Sequence, residues 1–398
     1  MTNTDHTGAS DRSAAPGSTE ATVAVVGGGA VGVTAAVDLA ARGATVTLFD
    51  RDDLASGASG RAAGVVYDAY AAAVDAAVAA RALERFRAFD RTLPGFEFAA
   101  CPYVIAVREG DEDAEAMPEL VDQMRDHDRD VSLVDPDALG GRFPLRTDDL
   151  AAAAVAEGAG WTDPTSYVVA MGDRARREGV TVETGSEVAL GDGPTVRVDG
   201  AEREFDAVVV AVGAHTERLL ATAGIDVPVK PYRVQALTSR VDYGGPMTYD
   251  ATAGVYFRPH PTGLLAGDGT VPVEADPDGY DPEGDDWFVE TVSETLRERA
   301  DHDPEVERAW AGVCTATPDG DPLVGPVADG VFVAAGWQGH GFMRAPATGE
   351  LLAEGVLASL SDDAATDSPW IEAFAPSRFE GDETFEITEG MSVRNRGD

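Results

Sequence analysis

The fold is decided by residues 21–50, ATVAVVGGGAVGVTAAVDLAARGATVTLFD. A short apolar and β-branched run begins at Thr22 and is typical of a buried strand. A helical pattern follows and stops at Gly43, and a second β-rich run ends at Asp50. We therefore predict a strand, a helix and a second strand that together form one βαβ unit.

The glycines of this unit have the G-x-G-x-x-G spacing of a dinucleotide-binding turn. Gly27 permits the tight turn, Gly29 lets a pyrophosphate approach the backbone, and Gly32 lets the helix pack closely on the strand. The helix N-terminus offers unpaired N–H groups to the phosphates. Asp50 stands where an acidic residue binds the ribose hydroxyls, which favours FAD or NAD over NADP. The unit alone does not choose between FAD and NAD.

The chain of 398 residues is strongly acidic, with 71 Asp and Glu against 30 Lys and Arg and a formal net charge of −41. Such a surface repels nucleic acid and anionic membranes. Because the acids are spread along the chain, we interpret them as halophilic solvation of a protein in a salt-rich cytoplasm. Two cysteines and the lack of a long apolar span predict no disulfide framework, no metal site and no membrane helix.

Three apolar runs end directly at, or within a residue of, Gly27, Gly213 and Gly336. They have the character of buried parallel strands, whose carboxyl ends form the ligand-binding edge of an open α/β sheet. Alternating, β-rich sequence between the second and third runs predicts an antiparallel insertion. The predicted fold class is α/β plus α+β, with a discontinuous Rossmann-like nucleotide-binding domain and an antiparallel β-sheet substrate domain.

These patterns also set the predicted domain boundaries. Residues 20–69, 150–230 and 308–362 form the nucleotide-binding domain, residues 70–149 and 231–307 form the substrate-binding domain, and residues 1–18 and 380–398 are disordered tails.

A series of motifs runs through nearly the whole chain, from residue 21 to residue 379. They are VAVVGGGAVG at 23–32, SGRAAG at 59–64, GWTDP at 160–164, VVVAVGA at 208–214, YFRP at 256–259, WAG at 310–312, TPDGDPLVGP at 317–326, AAGWQGHGFMRAPATGELLAE at 334–354 and PSRF at 376–379. In this order they resemble the D-amino-acid oxidase superfamily of FAD enzymes, which includes glycine oxidase, sarcosine oxidase and related amino-acid dehydrogenases. The sarcosine oxidase β-subunit type resembles the chain most.

The resemblance implies that the cofactor is FAD. It places Asp50 on the adenosine ribose, the backbone of Val188 at the adenine, and residues 59–65 along the pyrophosphate and flavin. It also places residues 339–343 against the flavin ring, where a helix N-terminus stabilises the anionic reduced ring. The residues expected to contact FAD are Gly27, Gly29, Ala30, Val31, Gly32, Asp50, Arg51, Ser59, Arg61, Ala62, Ala63, Gly64, Val65, Val188, Gly213, Gly336, Gly339, Gly341, Phe342 and Met343.

Three residues are candidates for the substrate end of the site. The guanidinium of Arg258 can clamp a substrate carboxylate, and a salt bridge to one of the many acids is an equal alternative. Tyr256 lies two residues earlier on the same strand face, and it can orient the substrate through its hydroxyl or pack in the core. His340 lies in the flavin-contacting turn and is the candidate catalytic residue, which would polarise the flavin or hold substrate.

The chain also departs from the resembled enzymes. Residues 56–64 contain no histidine for a histidyl–flavin link, and Cys314 lies nearer to its TPD motif than the flavin-linking cysteine of monomeric sarcosine oxidases. We therefore expect noncovalent FAD. Cys314 replaces a carboxylate-binding arginine of glycine oxidase, and Met343 replaces a lysine of monomeric sarcosine oxidase, so two familiar substrate anchors are missing.

Together these features predict an FAD-dependent oxidoreductase that oxidises a C–N bond of an amino acid or N-methylated amino acid by hydride transfer to flavin N5. Three alternatives remain: a 2-hydroxy acid dehydrogenase, the FAD-binding β-type subunit of a hetero-oligomeric amine dehydrogenase, and an NAD-binding sensor. The expected partners are a small amine or amino-acid substrate and other subunits of a homo- or hetero-oligomer. Lys230 is the only lysine and is not expected near the flavin, which favours a carrier over oxygen as electron acceptor.

Overall fold

The computed structural model describes residues 21–361 and 369–388. In chain order the strands are β1 Thr22–Val26, β2 Thr45–Phe49, β3 Val65–Val66, β4 Ala99–Ala100, β5 Tyr103–Arg108, β6 Val131–Leu133, β7 Leu150–Ala156, β8 Gly160–Trp161, β9 Thr181–Glu183, β10 Val188–Leu190, β11 Thr195–Val198, β12 Ala201–Glu204, β13 Ala207–Val210, β14 Lys230–Ser239, β15 Met247–Asp250, β16 Val255–His260, β17 Gly263–Glu274, β18 Val306–Ala316, β19 Leu323–Ala328 and β20 Val331–Ala335. The helices are α1 Ala30–Ala41, α2 Ala73–Thr92, α3 Asp113–Asp126, α4 Pro136–Arg142, α5 Pro164–Arg177, α6 Thr216–Ala221, α7 Asp286–Ala300, α8 Gly341–Ser359 and α9 Pro369–Ala373.

A six-stranded sheet contains the βαβ unit, and its strand order is β19-β20-β13-β1-β2-β9. Strand β1 pairs in parallel with β2 and with β13, and β13 pairs in parallel with β20. The edge strand β19 runs antiparallel to β20. The predicted βαβ unit is confirmed. The strands that lead into the three glycine turns, β1, β13 and β20, lie side by side, so their carboxyl ends share one edge of the sheet.

Helix α1 packs on this sheet and on α8 through contacts that only glycine permits. A Cβ atom on Gly32 would lie 1.9 Å from the carbonyl oxygen of Gly27, and one on Gly349 would lie 2.6 Å from Cγ2 of Thr34. Gly32 therefore has the packing role that the sequence predicts for the third glycine of the motif.

An eight-stranded sheet has the order β18-β14-β17-β16-β15-β5-β7-β6. Its central hairpin, β16 and β17, turns at Pro261 and Thr262 and lies within the predicted antiparallel insertion. The other neighbours also pair antiparallel, with the exception of β5 and β15, which are parallel. The β-rich insertion thus forms a sheet with segments from elsewhere in the chain.

The structure corrects the predicted domain boundaries at three elements. Strand β7 pairs with β5, and β18 pairs with β14, so both belong to the eight-stranded sheet although the sequence places them in the nucleotide-binding domain. Helix α2, predicted in the substrate domain, packs on α8, where Arg81 bonds Glu350 at 2.7 Å. Local patterns identify a strand or helix, but they do not identify its distant pairing partner.

The predicted C-terminal tail, 380–398, is corrected in part. Phe385 and Ile387 pack against the eight-stranded sheet, and Ile387 is 8% exposed in a cluster with Tyr232 and Ala316. The side chain of Lys230 donates a hydrogen bond of 2.7 Å to the carbonyl oxygen of Phe385. Apolar residues at alternate positions, Phe385 and Ile387, are the signal that the polar composition concealed. The predicted N-terminal tail, 1–18, and residues 389–398 lie outside the described residues.

None of the helices within residues 21–361 and 369–388 combines the length and the apolar character that crossing a bilayer requires. The same residues contain no group of three or more His, Cys, Asp and Glu side chains that could hold a metal ion.

Candidate active site

A cavity of about 710 Å³ lies at the carboxyl edge of the parallel strands, and residues of both large sheets line it. This volume is in the range of cofactor and small-molecule sites. The predicted residues that line it are Gly27, Gly29, Ala30, Val31, Asp50, Arg51, Ser59, Arg61, Ala62, Ala63, Gly64, Val65, Val188, Gly213, Tyr256, Gly339, His340, Gly341, Phe342 and Met343. Gly32, Gly336 and Arg258 are absent from the lining.

The first glycine turn is shaped so that only glycine fits at its centre. Gly27 has φ +114°, and a Cβ atom there would lie 2.3 Å from the carbonyl oxygen of Ala211 on the neighbouring strand end. The backbone N–H of Ala30, in the first turn of α1, donates to Oγ of Ser59 at 2.9 Å. The turn, the helix N-terminus and the second loop are thereby held together around one part of the cavity.

Asp50 follows β2 and lines the cavity beside the first glycine turn. Its Oδ2 accepts a hydrogen bond of 2.6 Å from the N–H of Gly28, and its Oδ1 accepts one of 2.8 Å from the N–H of Asp52. Burial raises the pKa of the Asp50 carboxyl group, although both N–H groups act in the opposite direction. The carboxylate therefore fixes the glycine turn as well as lining the cavity where a ribose is expected.

The loop of small residues from Ala55 to Val65 forms the next part of the wall. Arg61 donates to the carbonyl oxygens of Ser56 and Gly57 within this loop. Gly64 has φ +70°, and a Cβ atom there would lie 2.0 Å from the carbonyl oxygen of Thr162. The backbone of the loop thus forms this part of the wall, and Arg61 holds its shape.

Arg258 differs from its predicted role as a carboxylate clamp. Its side chain is buried, with Nε donating to the carbonyl oxygen of Ala63 at 2.6 Å and Nη1 to that of Pro259 at 2.6 Å. The guanidinium carbon lies 4.5 Å from the ring centre of Trp161, and burial lowers the Arg258 pKa to about 10. Tyr256 lies on the same strand face and lines the cavity. Arg258 does not line it, because its guanidinium bonds the carbonyl oxygen of Ala63 in the cavity wall.

Gly336 is also absent from the lining of the cavity. It has φ +82°, and a Cβ atom there would lie 2.3 Å from Cγ2 of Thr317. Its N–H donates to Oγ1 of Thr315 at 3.1 Å. Gly336 therefore shapes the turn that leads into α8 and does not itself line the cavity.

Aromatic side chains that the sequence analysis missed line another part of the cavity. The ring of Tyr67 stacks on Tyr103, with centroids 4.5 Å apart, and on Tyr70 at 5.3 Å. Burial raises the pKa of Tyr67 well above its ordinary value, so its hydroxyl stays protonated. Trp310 and Trp337 also line the cavity. The signal lay in the motifs themselves, because Tyr67 closely follows the SGRAAG loop and Trp337 stands inside the last motif.

His340 stands at the N-terminus of α8, beside these aromatic residues. Its Nε2 lies 3.4 Å from the hydroxyl oxygen of Tyr67, and its backbone N–H donates to the carbonyl oxygen of Trp337 at 2.8 Å. Gly341, Phe342 and Met343 form the first turn of α8 and line the cavity. N–H groups in a first helical turn have no acceptor within the helix, so this turn offers donors and a partial positive charge.

A buried cation lies behind the aromatic stack. The guanidinium carbon of Arg344 is 4.8 Å from the ring centre of Tyr70, and its Nη1 is 2.6 Å from Oδ1 of Asp75. Arg344 raises the positive potential beside the first turn of α8, and Asp75 offsets part of that charge.

Asp268 and Cys314 also line the cavity, and neither was among the residues expected to do so. Asp268 lines the cavity while its Oδ1 accepts from the hydroxyl of Thr270 at 2.7 Å. Cys314 also lines it, and burial raises the pKa of its thiol to about 12, so the thiol is protonated at neutral pH. The sequence analysis did not consider Asp268 and gave Cys314 no link to the flavin; Cys314 packs on the cluster of Tyr232 and Ala316.

A strap, residues 275–285 between β17 and α7, contributes Pro277, Asp278 and Tyr280 to the lining of the cavity. Within it, Asp278 pairs with Arg51 at 3.0 Å, with His215 at 2.9 Å and with Arg218 at 2.9 Å. Arg51 is therefore engaged by the strap rather than free to meet a ligand on its own. These pairs join the strap, which follows the eight-stranded sheet, to residues that follow β2 and β13 of the six-stranded sheet.

The residues present fit an FAD molecule. The cradle at Gly27 and the first turn of α1 suit a pyrophosphate, and the first turn of α8 suits the electron-rich end of a flavin. Gln338 lines the cavity, while its carboxamide is buried and has no hydrogen-bond partner among the described residues.

The fold and the cavity together define a flavin-dependent oxidoreductase. Comparison with known proteins agrees: the model of the DAO family, described as FAD dependent oxidoreductase, matches residues 22–355. The chain belongs to this family, and FAD is its cofactor. The expectations of fold class, family and FAD from the sequence are confirmed.

Individual relatives are similar over most of the chain. Glycine oxidase of Geobacillus kaustophilus is 27% identical over 354 residues, covering 83% of this chain and 92% of that protein. The bifunctional protein MnmC of Maricaulis maris, named for tRNA 5-methylaminomethyl-2-thiouridine biosynthesis, is 29% identical, covering 90% of this chain and 55% of that protein. The crystal structure of L-proline dehydrogenase from P. horikoshii superposes with a TM-score of 0.80 at 26% identity, covering 91% of this chain and 98% of that one.

Proposed function

We propose that this enzyme oxidises the C–N bond of an amino acid or N-methylated amino acid to an imine, which water then hydrolyses. The observation that carries the proposal is the aromatic part of the cavity, which Tyr67, Tyr103 and Tyr256 line together with the first turn of α8. The similarity to glycine oxidase and L-proline dehydrogenase supports the choice of an amino-acid substrate. FAD supplies the acceptor for the hydride that leaves the substrate carbon.

The protein's own part in this reaction is to exclude water, orient the substrate and stabilise charge. The tyrosines of the aromatic wall enclose an apolar substrate carbon, and burial raises the pKa of Tyr256, so its hydroxyl remains a donor. The first turn of α8 stabilises negative charge that develops beside it. Asp268 is placed to accept an N–H of the amine, because it is a carboxylate that lines the same cavity.

A substrate carboxylate must be recognised without an arginine clamp. Arg51 and Arg218 are paired with Asp278, and Arg61 donates to its own loop. The hydroxyl of Tyr256 is the neutral donor that we assign to a substrate carboxylate. This replaces the role that the sequence analysis gave to Arg258.

We further propose that FAD is bound noncovalently and that a carrier accepts its electrons. The protonated thiol of Cys314 is a poor nucleophile toward the flavin, which supports noncovalent binding. The side chain of Lys230 points to Phe385, so it places no charge at the cavity. We also propose a cytoplasmic protein in a salt-rich cell, supported by the net charge of −41, and a homo- or hetero-oligomer, supported by the sarcosine oxidase β-subunit resemblance.

Oxidation of a 2-hydroxy acid is the second candidate. An alcohol must lose a proton as its hydride leaves, and this requires a base near the reacting hydroxyl. The pair formed by His340 and Tyr67, with 3.4 Å between Nε2 and the hydroxyl oxygen, is the feature that favours it.

The test is flavin bleaching without air, with matched pairs of substrates. Sarcosine, glycine, D-alanine and L-proline are compared with glycolate and lactate at equal concentration. The proposal expects bleaching by at least one amine, with methylamine, ammonia or a cyclic imine as product. Bleaching by hydroxy acids alone would assign the second function instead, and formation of hydrogen peroxide in stoichiometric amounts in air would overturn the carrier assignment.

A further inference from the structure

One carboxylate stands on a wall of the cavity that is otherwise uncharged. Of the residues that the eight-stranded sheet contributes to the lining, within the described part of the chain, Asp268 is the only charged one. The same wall includes Tyr256, Thr270, Trp310 and Cys314. The sheet therefore presents one negative charge among aromatic and neutral side chains, and none of its described residues offers a guanidinium or ammonium group to the cavity.

The backbone of β17 turns Asp268 toward the cavity. Tyr256 pairs with Gly267 across the sheet, so these two residues share one face, and a regular strand would send the next side chain to the opposite face. Asp268 has φ +154°, and the pairing of β14 with β17 shifts register directly after it. Bulges re-aim side chains and are common beside active sites. A local departure from regular strand geometry therefore holds Asp268 on the cavity face.

The carboxylate is oriented by one neighbour, and one of its oxygens is left for a ligand. Its Oδ1 accepts from the N–H of Thr270 at 3.2 Å and from the hydroxyl of Thr270 at 2.7 Å, while no hydrogen bond within residues 21–361 and 369–388 reaches Oδ2. A Cβ atom on Gly267 would lie 2.2 Å from the hydroxyl oxygen of Tyr256, so that hydroxyl lies over the residue before Asp268. Burial, and then the negative charge of Asp268, raises the pKa of Tyr256, so this charge is felt beside the hydroxyl.

The chemistry of this wall distinguishes ligands by their charge. An ammonium group donates to a carboxylate in a charge-assisted hydrogen bond, and N-methyl groups of a cation pack on aromatic faces. A ligand carboxylate beside Asp268 would meet a like charge instead. The hydroxyl of Tyr256 can serve one carboxylate of an amino acid, but a second carboxylate has no cation of this sheet with which to pair.

We propose that Asp268 determines the charge class of the substrate: it binds the ammonium group of an amine whose net charge is zero or positive, and it disfavours amines with two carboxylates. The inference deepens the proposed function and rests on it for the reaction, whereas the charge preference is a property of binding. Sarcosine and its amide belong to the accepted class, and N-methylaspartate belongs to the disfavoured class.

The test measures the binding of tert-butylammonium, tert-butanol and pivalate to the oxidised holoenzyme at fixed high salt, through the absorbance of the bound flavin. These probes have similar shapes, and the carbon that bears the polar group carries no hydrogen, so they report binding without oxidation. Wild type is expected to bind tert-butylammonium about tenfold more tightly than tert-butanol, and pivalate more weakly than tert-butanol. D268N is expected to bind the ammonium and the alcohol within about twofold of each other, and pivalate as tightly as the alcohol.

E274Q is the matched control, because it removes an exposed carboxylate of the same strand that does not line the cavity, and it should keep the wild-type order. D268G takes the place of D268N if the latter does not fold, since glycine suits the positive φ at this position. Failure of wild type to bind tert-butylammonium, equal binding of the ammonium and the alcohol, or the wild-type preference in D268N or D268G would overturn the inference. If no amine bleached the flavin while the probes bound in the expected order, the proposed oxidation would fail and the charge preference would stand.

Discussion

The guanidinium of Arg258, on the eight-stranded sheet, donates a hydrogen bond of 2.6 Å to the carbonyl oxygen of Ala63, in the loop that lines the cavity. The indole N–H of Trp310 donates to the carbonyl oxygen of Arg61 in the same loop at 3.2 Å. The two large sheets are therefore connected through the loop that is expected to contact the flavin. Arg258 therefore supports the wall of the cofactor site without lining the cavity.

Replacing Arg258 by Met should weaken FAD binding before it affects substrate choice. The substitution leaves the carbonyl of Ala63 without its charged donor, and the loss of such a bond costs about 1.5–3 kcal/mol. We expect a dissociation constant for FAD that is roughly tenfold to a hundredfold higher, measured by flavin fluorescence.

The control is R297M, which removes a cation from an exposed pair with Asp303. It should leave FAD binding unchanged. If R258M kept its FAD affinity but lost its preference for sarcosine over dimethylamine, the original assignment of Arg258 as a carboxylate clamp would be right after all.

The comparison of Arg258 with Gly27 shows what sequence can and cannot predict here. The positive φ of Gly27, +114°, belongs to the turn inside one βαβ unit, so the spacing of the motif is sufficient to predict it. The role of Arg258 depends on Ala63, which lies 195 positions away in the chain. The three glycine turns were predicted because each is encoded by adjacent residues. The tyrosine stack, the pairing of β7 with β5 and the pairing of β18 with β14 join distant residues, and they were not predicted.

The pair of Arg344 and Asp75 should be essential to stability. Arg344 is 6% exposed at its side chain, and its Nη1 lies 2.6 Å from Oδ1 of Asp75, although the two groups are not aligned as a hydrogen bond. Asp75→Asn leaves a buried cation unpaired and should lower the free energy of unfolding by about 3 kcal/mol. The double variant D75N/R344M should recover at least half of that loss in thermal unfolding at high salt. Equal stability of D75N and wild type would show that the pair contributes nothing.

Asp321 should make stability depend on pH. Burial, followed by the negative charges of Asp75 and Asp319, raises the Asp321 pKa from 3.8 to about 6. The folded state thus holds the proton more tightly than the unfolded chain. The stability that Asp321 contributes is fully present below pH 3.8 and is lost as the pH rises through about 6.

Asp321→Asn removes this titration, so the Tm of D321N relative to wild type should rise between pH 4 and pH 7, with most of the change complete by about pH 6. The measurement is thermal unfolding of both proteins at fixed high salt. A difference in Tm between the two proteins that stayed constant from pH 4 to pH 7 would mean that Asp321 has the same pKa in the folded and the unfolded chain.

Cys314 should be unreactive, and the flavin should not be attached to it. Its pKa of about 12 leaves almost no thiolate at neutral pH. Acid precipitation should therefore release all of the yellow colour into the supernatant, and C314S should bind FAD as wild type does. Colour retained in the wild-type pellet but released from C314S would establish a covalent link at this cysteine.

Tyr256→Phe should weaken binding of the substrate and leave the affinity for FAD unchanged. Its hydroxyl is a donor that lines the cavity, and losing one hydrogen bond to a charged substrate carboxylate costs about 1.5 kcal/mol or more. We expect KM for sarcosine to rise about tenfold with little change in kcat, while KM for dimethylamine and the affinity for FAD stay constant. Y249F is the control, because Tyr249 is the cross-strand neighbour of Tyr256 and does not line the cavity. An equal rise in KM for both amines would mean that Tyr256 shapes the site and does not bind the carboxylate, and recognition of that carboxylate would then require another donor.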